Sequence, residues 1–412
     1  MSRVPQPLFG NIDNQDKIKP LVIDYLENNS KLSLDIEYDY AERFLKSYCA
    51  SHDTYKSYRR EVERLLQWCW FEAGILLYDL DRDKLDEYLK YAFAPPKSMI
   101  ASKSASRFIL KEGIYLPNIA WRPYLSRQSK VQMNLGIDVT SEYLMSNSAR
   151  KALFAGVSTF CTYLLQEGYL SKNPVALLRQ KSRYIVKKHS ENITRKLTDL
   201  QWYHVIDAIK TKAKLESKYE RHLFIISMFY LLGLRISELA STELHKPIMG
   251  DFSRDKDGLW WLTVIGKGNK MREIAVPDSL LETLKRYRKF LCLTPLPLRG
   301  EHTPILHNFK SNDGLSIRQI RTIVQECFDL AVSSLMENNK SDAAEDLMAA
   351  TVHWLRHTSI SADVKIRPRD HVRDDAGHES ISTTDKYIDI DRVDRHKSAQ
   401  GKSLYPDGYQ ES

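Results

Sequence analysis

The sequence lacks the features that mark membrane, secreted and zinc-finger proteins. Its 412 residues contain no run of roughly 18 apolar side chains, so no membrane span is predicted. The first part of the chain has no apolar segment of the kind found in secretory signals. The five cysteines are odd in number and widely scattered, without a CxxC pair. This usage argues against a disulfide framework and a zinc-finger site, and it favours buried thiols in a reducing compartment such as the cytoplasm.

The chain carries more positive than negative charge, with 61 Lys and Arg against 53 Asp and Glu and a net charge of +8. Residues 97–130 and 172–196 concentrate the cations, and each stretch holds a single acidic residue. Such runs are often solvated faces or linkers. Here Phe108, Tyr115 and Trp121 interleave with the cations. This pattern favours a nucleic acid, because cations that neutralise phosphates release counterions. Candidate cations are Lys56, Arg59, Arg60, Arg183, Lys187 and Lys188.

The length and the 42% apolar content predict two or three domains. Apolar residues recur at helical spacing in the stretches 40–48 and 58–69, which predicts a helical N-terminal half. We expect the following organisation: an N-terminal tail at 1–33, with one weak helix; a helical domain at 34–180, with a basic, less regular excursion at 94–135; a basic linker at 181–196; and a second domain at 197–412 that includes a C-terminal tail.

The second domain is predicted to be mainly α with a small antiparallel β-sheet, an α+β arrangement. Thr198 and Gln201 have the spacing of a capping box at a helix start. Residues 221–240 are strongly apolar and predict a pair of core helices. In residues 258–277 the period changes, and two β-rich runs flank a Gly-rich turn that carries Lys267. The segments after this hairpin again have helical spacing.

The segment HWLRHTS carries His353, Arg356 and His357 in a predicted helix. The two histidines are four residues apart, so one helix face could present both to a metal. The zinc-protease pattern requires Glu after the first histidine, and here Trp354 follows it, without a third ligand at a helpful spacing. The alternative is an anion site, because His353 and Arg356 are neighbours on one helix face.

Other candidate residues are weak signals when each is considered alone. Arg235 lies in an apolar helix, and a buried cation there needs a partner, which Glu238 one turn later could supply as a purely structural pair. Lys267 could be an ordinary solvated turn lysine. His378 follows Gly377 and could simply end a helix.

Taken in order, the motifs GLRISEL, VIGKGNKMREIAVP, HWLRHTS and AGHESISTTDKYI resemble those of the tyrosine recombinase family, also called the phage integrase family. They occur in the family's order over roughly residues 195–395, and the last motif adds Tyr387. Residues 34–180 resemble the family's helical, SAM-like core-binding domain through HDTYKSYRREVERLLQWC and FCTYLLQEGYLSKNPV.

The resemblance implies a site-specific DNA recombinase or integrase that needs no metal or cofactor. Tyr387 would attack a phosphodiester and become linked to a 3′ phosphate. Arg235 and Arg356 would bind the non-bridging oxygens, and His378 would donate to the same phosphate. His353 would exchange a proton with Tyr387, and Lys267 would protonate the leaving 5′ oxygen. Glu238 would orient Arg235, and His357 would pack against or brace the helix.

The family also suggests partners: double-stranded DNA at a specific site, four protomers on two duplexes or partner recombinases, and DNA-bending accessory proteins, all at the nucleoid without a membrane. The segment KIRPRDHVRDDAGH departs from the family pattern, because it is highly charged and has Ala376 where Leu is usual. Two alternatives remain open. One is a type IB topoisomerase-like relaxing enzyme, and the other is a DNA-binding accessory protein without catalysis.

Overall fold

The computed structural model describes residues 4–126, 143–175, 195–243, 245–311 and 313–385; the side chain of Lys267 is not among the described groups. The chain divides into two compact units, residues 1–189 and 190–412. Each unit has its own apolar core. Within the described ranges, no helix combines the length and the apolar character that crossing a bilayer requires.

The first unit is mainly helical. Its described helices are α1 (Gln15–Asn29), α2 (Asp35–Lys46), α3 (His52–Gln67), α4 (Arg82–Phe93) and α5 (Asn147–Gln166). Helix α3 packs against α2 and α5. The apolar positions of these helices, among them Phe44, Val62 and Phe160, are buried in the shared core. The helices predicted from periodicity in this half are therefore present.

The N-terminal residues are not a tail, and this prediction is wrong. Leu8 and Phe9 are fully buried, and Ile18, Val22 and Leu26 on α1 face the same core. Phe9 stacks on Tyr38 with 5.1 Å between ring centroids. These apolar residues are sparse in the sequence, and α1 contains Pro20, which is unfavourable inside a helix. Tertiary packing overrides that local preference.

Buried charges of α3 hold the N-terminal segment and the excursion. The carboxylate of Glu63 accepts hydrogen bonds from the backbone N–H of Leu8, at 2.6 Å, and from Arg107 Nη1, at 2.6 Å. Arg64 donates from Nε and Nη2 to the carbonyl of Pro123 at 2.9 and 2.8 Å. Arg59 donates to the carbonyl of Gly10. The chain before α2 and the chain after α4 are thus both fixed to one helix.

Arg59 was proposed as a DNA contact, and the structure contradicts this role. Its side chain is buried, with 6% of the residue exposed. Burial lowers the pKa of its guanidinium to about 10, with a further contribution from the charge of Arg107. Lys56 and Arg60 on the same helix are exposed. Arg183, Lys187 and Lys188 lie outside the described residues.

The described part of the excursion contains four short strands. Strand β1 (Ile100–Ala101) pairs in parallel with β4 (Tyr124–Leu125). Between them, β2 (Phe108–Lys111) and β3 (Ile114–Pro117) form an antiparallel hairpin in which Lys111 lies opposite Ile114. This segment therefore interrupts the helical pattern of the first unit.

In its described residues, the second unit combines helices with one three-stranded antiparallel sheet, which confirms the predicted fold class. Its described helices are α6 (Asp199–Leu215), α7 (Tyr219–Leu232), α8 (Ile236–Leu239), α9 (Asp278–Phe290), α10 (Ile317–Glu337), α11 (Ser341–Met348), α12 (Val352–Ile366), α13 (Arg369–Ala376) and α14 (Ile381–Asp385). Helix α7 is buried over residues 222–229 and packs against α9, α10 and α12. The predicted capping box of Thr198 and Gln201 begins α6.

The sheet has the order β5 (Phe252–Arg254), β6 (Trp260–Ile265) and β7 (Met271–Ala275). Strands β6 and β7 form the predicted hairpin, with Ile265 opposite Met271. Lys267 begins the turn between them, and two residues with positive φ, Gly268 at 75° and Asn269 at 60°, reverse the chain. The hairpin also packs against α13 through β7.

Candidate active site

Arg356 brings three separate segments of the second unit together. It lies in the second turn of α12 and is 3% exposed. Its Nη1 donates to the carbonyl of Gly233, at the end of α7, and its Nη2 donates to the carbonyl of Ala376, at the end of α13, over 2.7 Å. The same Nη2 lies 3.2 Å from His378 Nε2. One guanidinium therefore joins the ends of two helices and the histidine after them.

Arg235 lies at the start of α8, next to this cluster. Its Nη2 donates to the carbonyl of Gly377 at 3.0 Å, and its Nη1 donates to Glu238 Oε1 at 3.0 Å. The second oxygen of Glu238 accepts the backbone N–H of Arg235 at 2.8 Å. The side chain of Arg235 keeps 32% of its surface exposed, whereas Glu238 is buried. The arginine can therefore still reach a ligand while the carboxylate holds it.

A cleft of about 660 Å³ opens beside these residues. Its wall includes three residues predicted from the sequence, Arg235, His353 and Arg356. Apolar side chains and a few polar groups complete the lining: Leu234, Ile236, Arg321, Val324, Gln325, Phe328, Thr351 and Val352. The lining thus includes three guanidinium groups, of Arg235, Arg321 and Arg356, and one imidazole, which suit an anionic ligand with several acceptor oxygens.

The two histidines of α12 contact each other edge to face, with ring centroids 4.5 Å apart. Desolvation by the surrounding protein, followed by the charge of Arg356, lowers the pKa of His353. The pKa of His357 is lowered to about 4, first by burial and then by His353 and Arg356. Among the described residues, no group of three or more His, Cys, Asp or Glu side chains is placed to hold a metal ion.

His378 is held from both sides. Its Nε2 faces Arg356, whose guanidinium can only donate, so Nε2 accepts and the ring proton lies on Nδ1. Nδ1 then donates to the hydroxyl of the buried Thr384, at 2.9 Å. Burial and then the charges of Arg356, Arg235 and Arg272 lower the pKa of His378 to about 4. The imidazole is therefore neutral near neutral pH in this arrangement.

The structure describes part of the remaining predicted site. The backbone of Lys267 lies at the turn of the β6–β7 hairpin. Tyr387 lies outside the described residues, which end at Asp385, the last residue of α14. The described residues thus assemble Arg235, Glu238, His353, Arg356 and His378, and they leave the positions of the other two side chains to the proposal below.

Sequence reasoning missed Arg272 and Thr384. Arg272 Nη1 and Nη2 donate to the two oxygens of Glu238 at 2.8 and 3.0 Å. Together with Arg235 it keeps the pKa of Glu238 below its usual value, although burial alone would raise it. A signal was available, since Arg272 lies two residues before the buried Ile274 and so faces the same side of β7. A charged residue on the inward face of a strand calls for a buried partner.

Comparison with known proteins supports the same class. Residues 195–393 match the profile of the phage integrase family. The tyrosine recombinase XerC of Thermodesulfovibrio yellowstonii is 28% identical over 266 residues, which are 61% of this chain and 75% of that protein. The tyrosine recombinase XerD of Staphylococcus saprophyticus is 26% identical over 324 residues, 75% of this chain and 94% of that protein.

Among solved structures, the XerH site-specific recombinase bound to a palindromic difH substrate, in a post-cleavage complex, superposes with a TM-score of 0.55. The match covers 96% of this chain and 91% of XerH at 14% identity, which shows a shared fold. The fold and the motifs around the cleft define a site-specific recombinase. The matched part of the chain, residues 195–393, belongs to the phage integrase family, the tyrosine recombinases.

Proposed function

We propose that this recombinase cuts and rejoins double-stranded DNA at a specific site through a covalent bond between Tyr387 and a 3′ phosphate. One observation carries the proposal. Arg235, His353 and Arg356 line a single cleft, and Arg356 contacts His378, although these residues come from three separate sequence motifs. XerH, which has this fold, was solved bound to its difH substrate.

The reaction balances without a redox partner. The Tyr387 oxygen forms a bond to phosphorus as the bond from phosphorus to the 5′ oxygen breaks. Arg235 and Arg356 neutralise the charge that develops on the non-bridging oxygens. The tyrosine proton, which leaves a group with a reference pKa of about 10, goes to His353. Lys267 gives a proton to the departing 5′ oxygen, and the reverse reaction rejoins the strand.

The lowered pKa of His353 suits the role of proton acceptor, because its ring is neutral before the attack. His378 needs a change of partners. Its Nε2 accepts from Arg356 in the structure, so it cannot donate to a phosphate until that contact is released. We infer that an incoming phosphate takes over Arg356 and, through its negative charge, favours the protonated imidazole that donates to it.

The proposal extends to partners and location. The enzyme acts on a specific DNA site as four protomers on two duplexes or together with partner recombinases, and DNA-bending accessory proteins assist it. Integration, excision, multimer resolution and transposon movement are all compatible with this chemistry. The five cysteines are free thiols, which suits the cytoplasm, where the nucleoid lies.

A covalent-adduct assay tests the proposal. Wild-type protein and Tyr387→Phe are incubated, with excess EDTA, on labelled DNA from the flanks of the gene, including nicked duplexes that trap cleavage. After denaturation, we expect protein-linked DNA with the wild type only. Tyr203→Phe is the matched control, because Tyr203 is 62% exposed in the same unit and does not line the cleft. An adduct with Tyr387→Phe, or loss of the wild-type adduct on chelation, would contradict the mechanism.

The same reagents separate the alternatives. A type IB topoisomerase-like enzyme would form the adduct and relax supercoils without exchanging strands between two duplexes. A catalytically silent accessory protein would bind the duplex and form no adduct on any of the nicked substrates. The joint presence of Arg235, Lys267, Arg356 and Tyr387 favours an active enzyme, because binding alone requires neither a nucleophile nor a general acid.

A further inference from the structure

Arg272 contacts two of the segments that support the phosphate-binding groups, α8 and the end of α13. Its Nη atoms hold both oxygens of Glu238, and Glu238 in turn holds Arg235. Its Nε donates to the carbonyl of Asp375 at 2.9 Å, in the last turn of α13, just before His378. Arg272 itself lies on β7, directly after the turn that carries Lys267. A single side chain therefore connects the hairpin, α8 and the end of α13.

Two glycines leave room for this side chain. A Cβ at Gly377 would lie 3.1 Å from the Arg272 guanidinium carbon, and the φ of Gly377 is +61°, which favours glycine. A Cβ at Gly266 would lie 3.0 Å from Arg272 Nη1 and 3.3 Å from Glu238 Oε1. The residues before Lys267 and before His378 are thus both glycine for the same physical reason: a side chain at either position would occupy the space of the Arg272–Glu238 pair.

The exposed and buried surfaces indicate what this pair does. Glu238 has no exposed side-chain surface, so its negative charge needs a permanent cationic partner. Without Arg272, the carboxylate would have Arg235 as its principal cation, and that pairing would compete with a phosphate for Arg235. With Arg272 present on both oxygens, Arg235 keeps a single Nη1 bond to Glu238 and a partly exposed guanidinium.

We propose that Arg272 is a positioning residue for the phosphate-binding half of the site: it neutralises and orients Glu238 so that Arg235 stays available, and it fixes the end of α13 that presents His378. This inference rests on the proposed function, because it assigns Arg272 to a step of DNA cleavage. It places the effect of Arg272 on the non-bridging oxygens, and not on protonation of the leaving group by Lys267.

The leaving group offers a direct test. Single-turnover cleavage is measured with nicked substrates that carry either the normal 5′ oxygen or a 5′ sulfur at the cut. A thiolate is a far better leaving group than an alkoxide, since thiols have pKa values near 8.5, so it needs no general acid. Lys267→Ala should be slow on the oxygen substrate and largely restored on the sulfur substrate. Arg272→Ala should be slower than wild type by roughly 10²-fold on both.

Arg272→Lys and a matched control guard against simple loss of folding. Lysine can place one ammonium near Glu238 but cannot keep the two-pronged contact and the Asp375 bond together, so we expect a defect of roughly tenfold. Arg288 makes the same kind of contact elsewhere in the unit: Nε to the Thr294 carbonyl and both Nη atoms to Glu301. Arg288→Lys should cost similar stability in urea unfolding and leave the cleavage rate unchanged.

The outcomes are distinct. Slow cleavage by the Arg272 variants on both substrates, with Lys267→Ala rescued by sulfur, supports the inference. Rescue of Arg272→Ala by sulfur would overturn it in favour of action through Lys267. A wild-type rate for Arg272→Lys, or an equal loss for Arg288→Lys, would overturn it as well. If wild-type protein forms no adduct on any substrate, the proposed function fails first, and the positioning role fails with it.

Discussion

At the scale of single residues, the surroundings of the histidines in the site favour their neutral form. His378 accepts from a permanent cation, and His357 is half-buried beside His353 and Arg356. Both surroundings penalise an added proton, and the pKa of each ring is lowered to about 4. A neutral imidazole beside two guanidinium groups limits the repulsion between positive charges when no anion is bound. The same arrangement links the stability of the unit to pH.

The sign of this linkage follows from the proton count. In the unfolded chain a histidine binds a proton below about pH 6.5, whereas in the folded unit His357 and His378 bind one only near pH 4. The unfolded state therefore holds more protons between these values, and stability falls as pH drops from 6.5 towards 4. His357→Gln should lessen this drop in urea unfolding at pH 7 and pH 5. An undiminished drop in the variant would contradict the lowered pKa.

At the scale of elements, the N-terminal segment is an integral part of the first unit. Phe9 is fully buried against Tyr38, and Glu63 holds the neighbouring backbone. We expect Phe9→Ala to lower the free energy of unfolding by roughly 3–5 kcal/mol, because it removes a buried ring and leaves a cavity. Val4→Ala is the control: Val4 is 51% exposed, and we expect a change within about 0.5 kcal/mol. Chemical denaturation followed by Trp fluorescence measures both.

If the first residues were a free tail, Phe9→Ala and Val4→Ala would unfold alike. That result would restore the expectation drawn from the sequence. The difference between the two variants therefore decides whether residues before α2 contribute to the core or only precede it.

The elements show what the sequence could and could not reveal. Helices α3 and α7 and the β6–β7 hairpin were predicted because their periodicity and turn residues are local properties. The buried N-terminal segment was missed because its apolar residues are few and meet their partners only in the folded unit. Arg235 and Glu238 were paired from their spacing, yet Arg272 was missed, because its partner is 34 residues away in the chain. Contacts at such separations leave no periodic signal.

At the scale of the whole molecule, a positive charge can contact DNA only where its side chain is exposed. Lys56 and Arg60 lie one turn apart on the exposed side of α3, while Arg59 between them turns into the core and contacts Gly10. Cations that a sequence count treats as equal therefore divide into a surface pair and a structural residue. The net charge of +8 attracts a polyanion in general, and the surface pair is where we propose that DNA phosphates are bound.

The salt dependence of DNA binding tests whether Lys56 and Arg60 contact phosphates. The affinity of Tyr387→Phe for its duplex should fall linearly on a log–log plot against salt, with a slope of roughly −0.9 for each phosphate neutralised. Changing Lys56 and Arg60 to Gln in that background should make the slope shallower by roughly 0.9 for each phosphate contact that is lost. The control changes Lys84 and Lys90 on α4, which pair with Glu87 and Asp86 as Arg60 pairs with Glu61, so it removes the same number of cations from a different helix. Fluorescence anisotropy titrations across a salt series give all three slopes. Equal slopes for the Lys56/Arg60 variant and its parent would show that these two side chains do not bind phosphate. Other cations of the chain would then form the DNA interface.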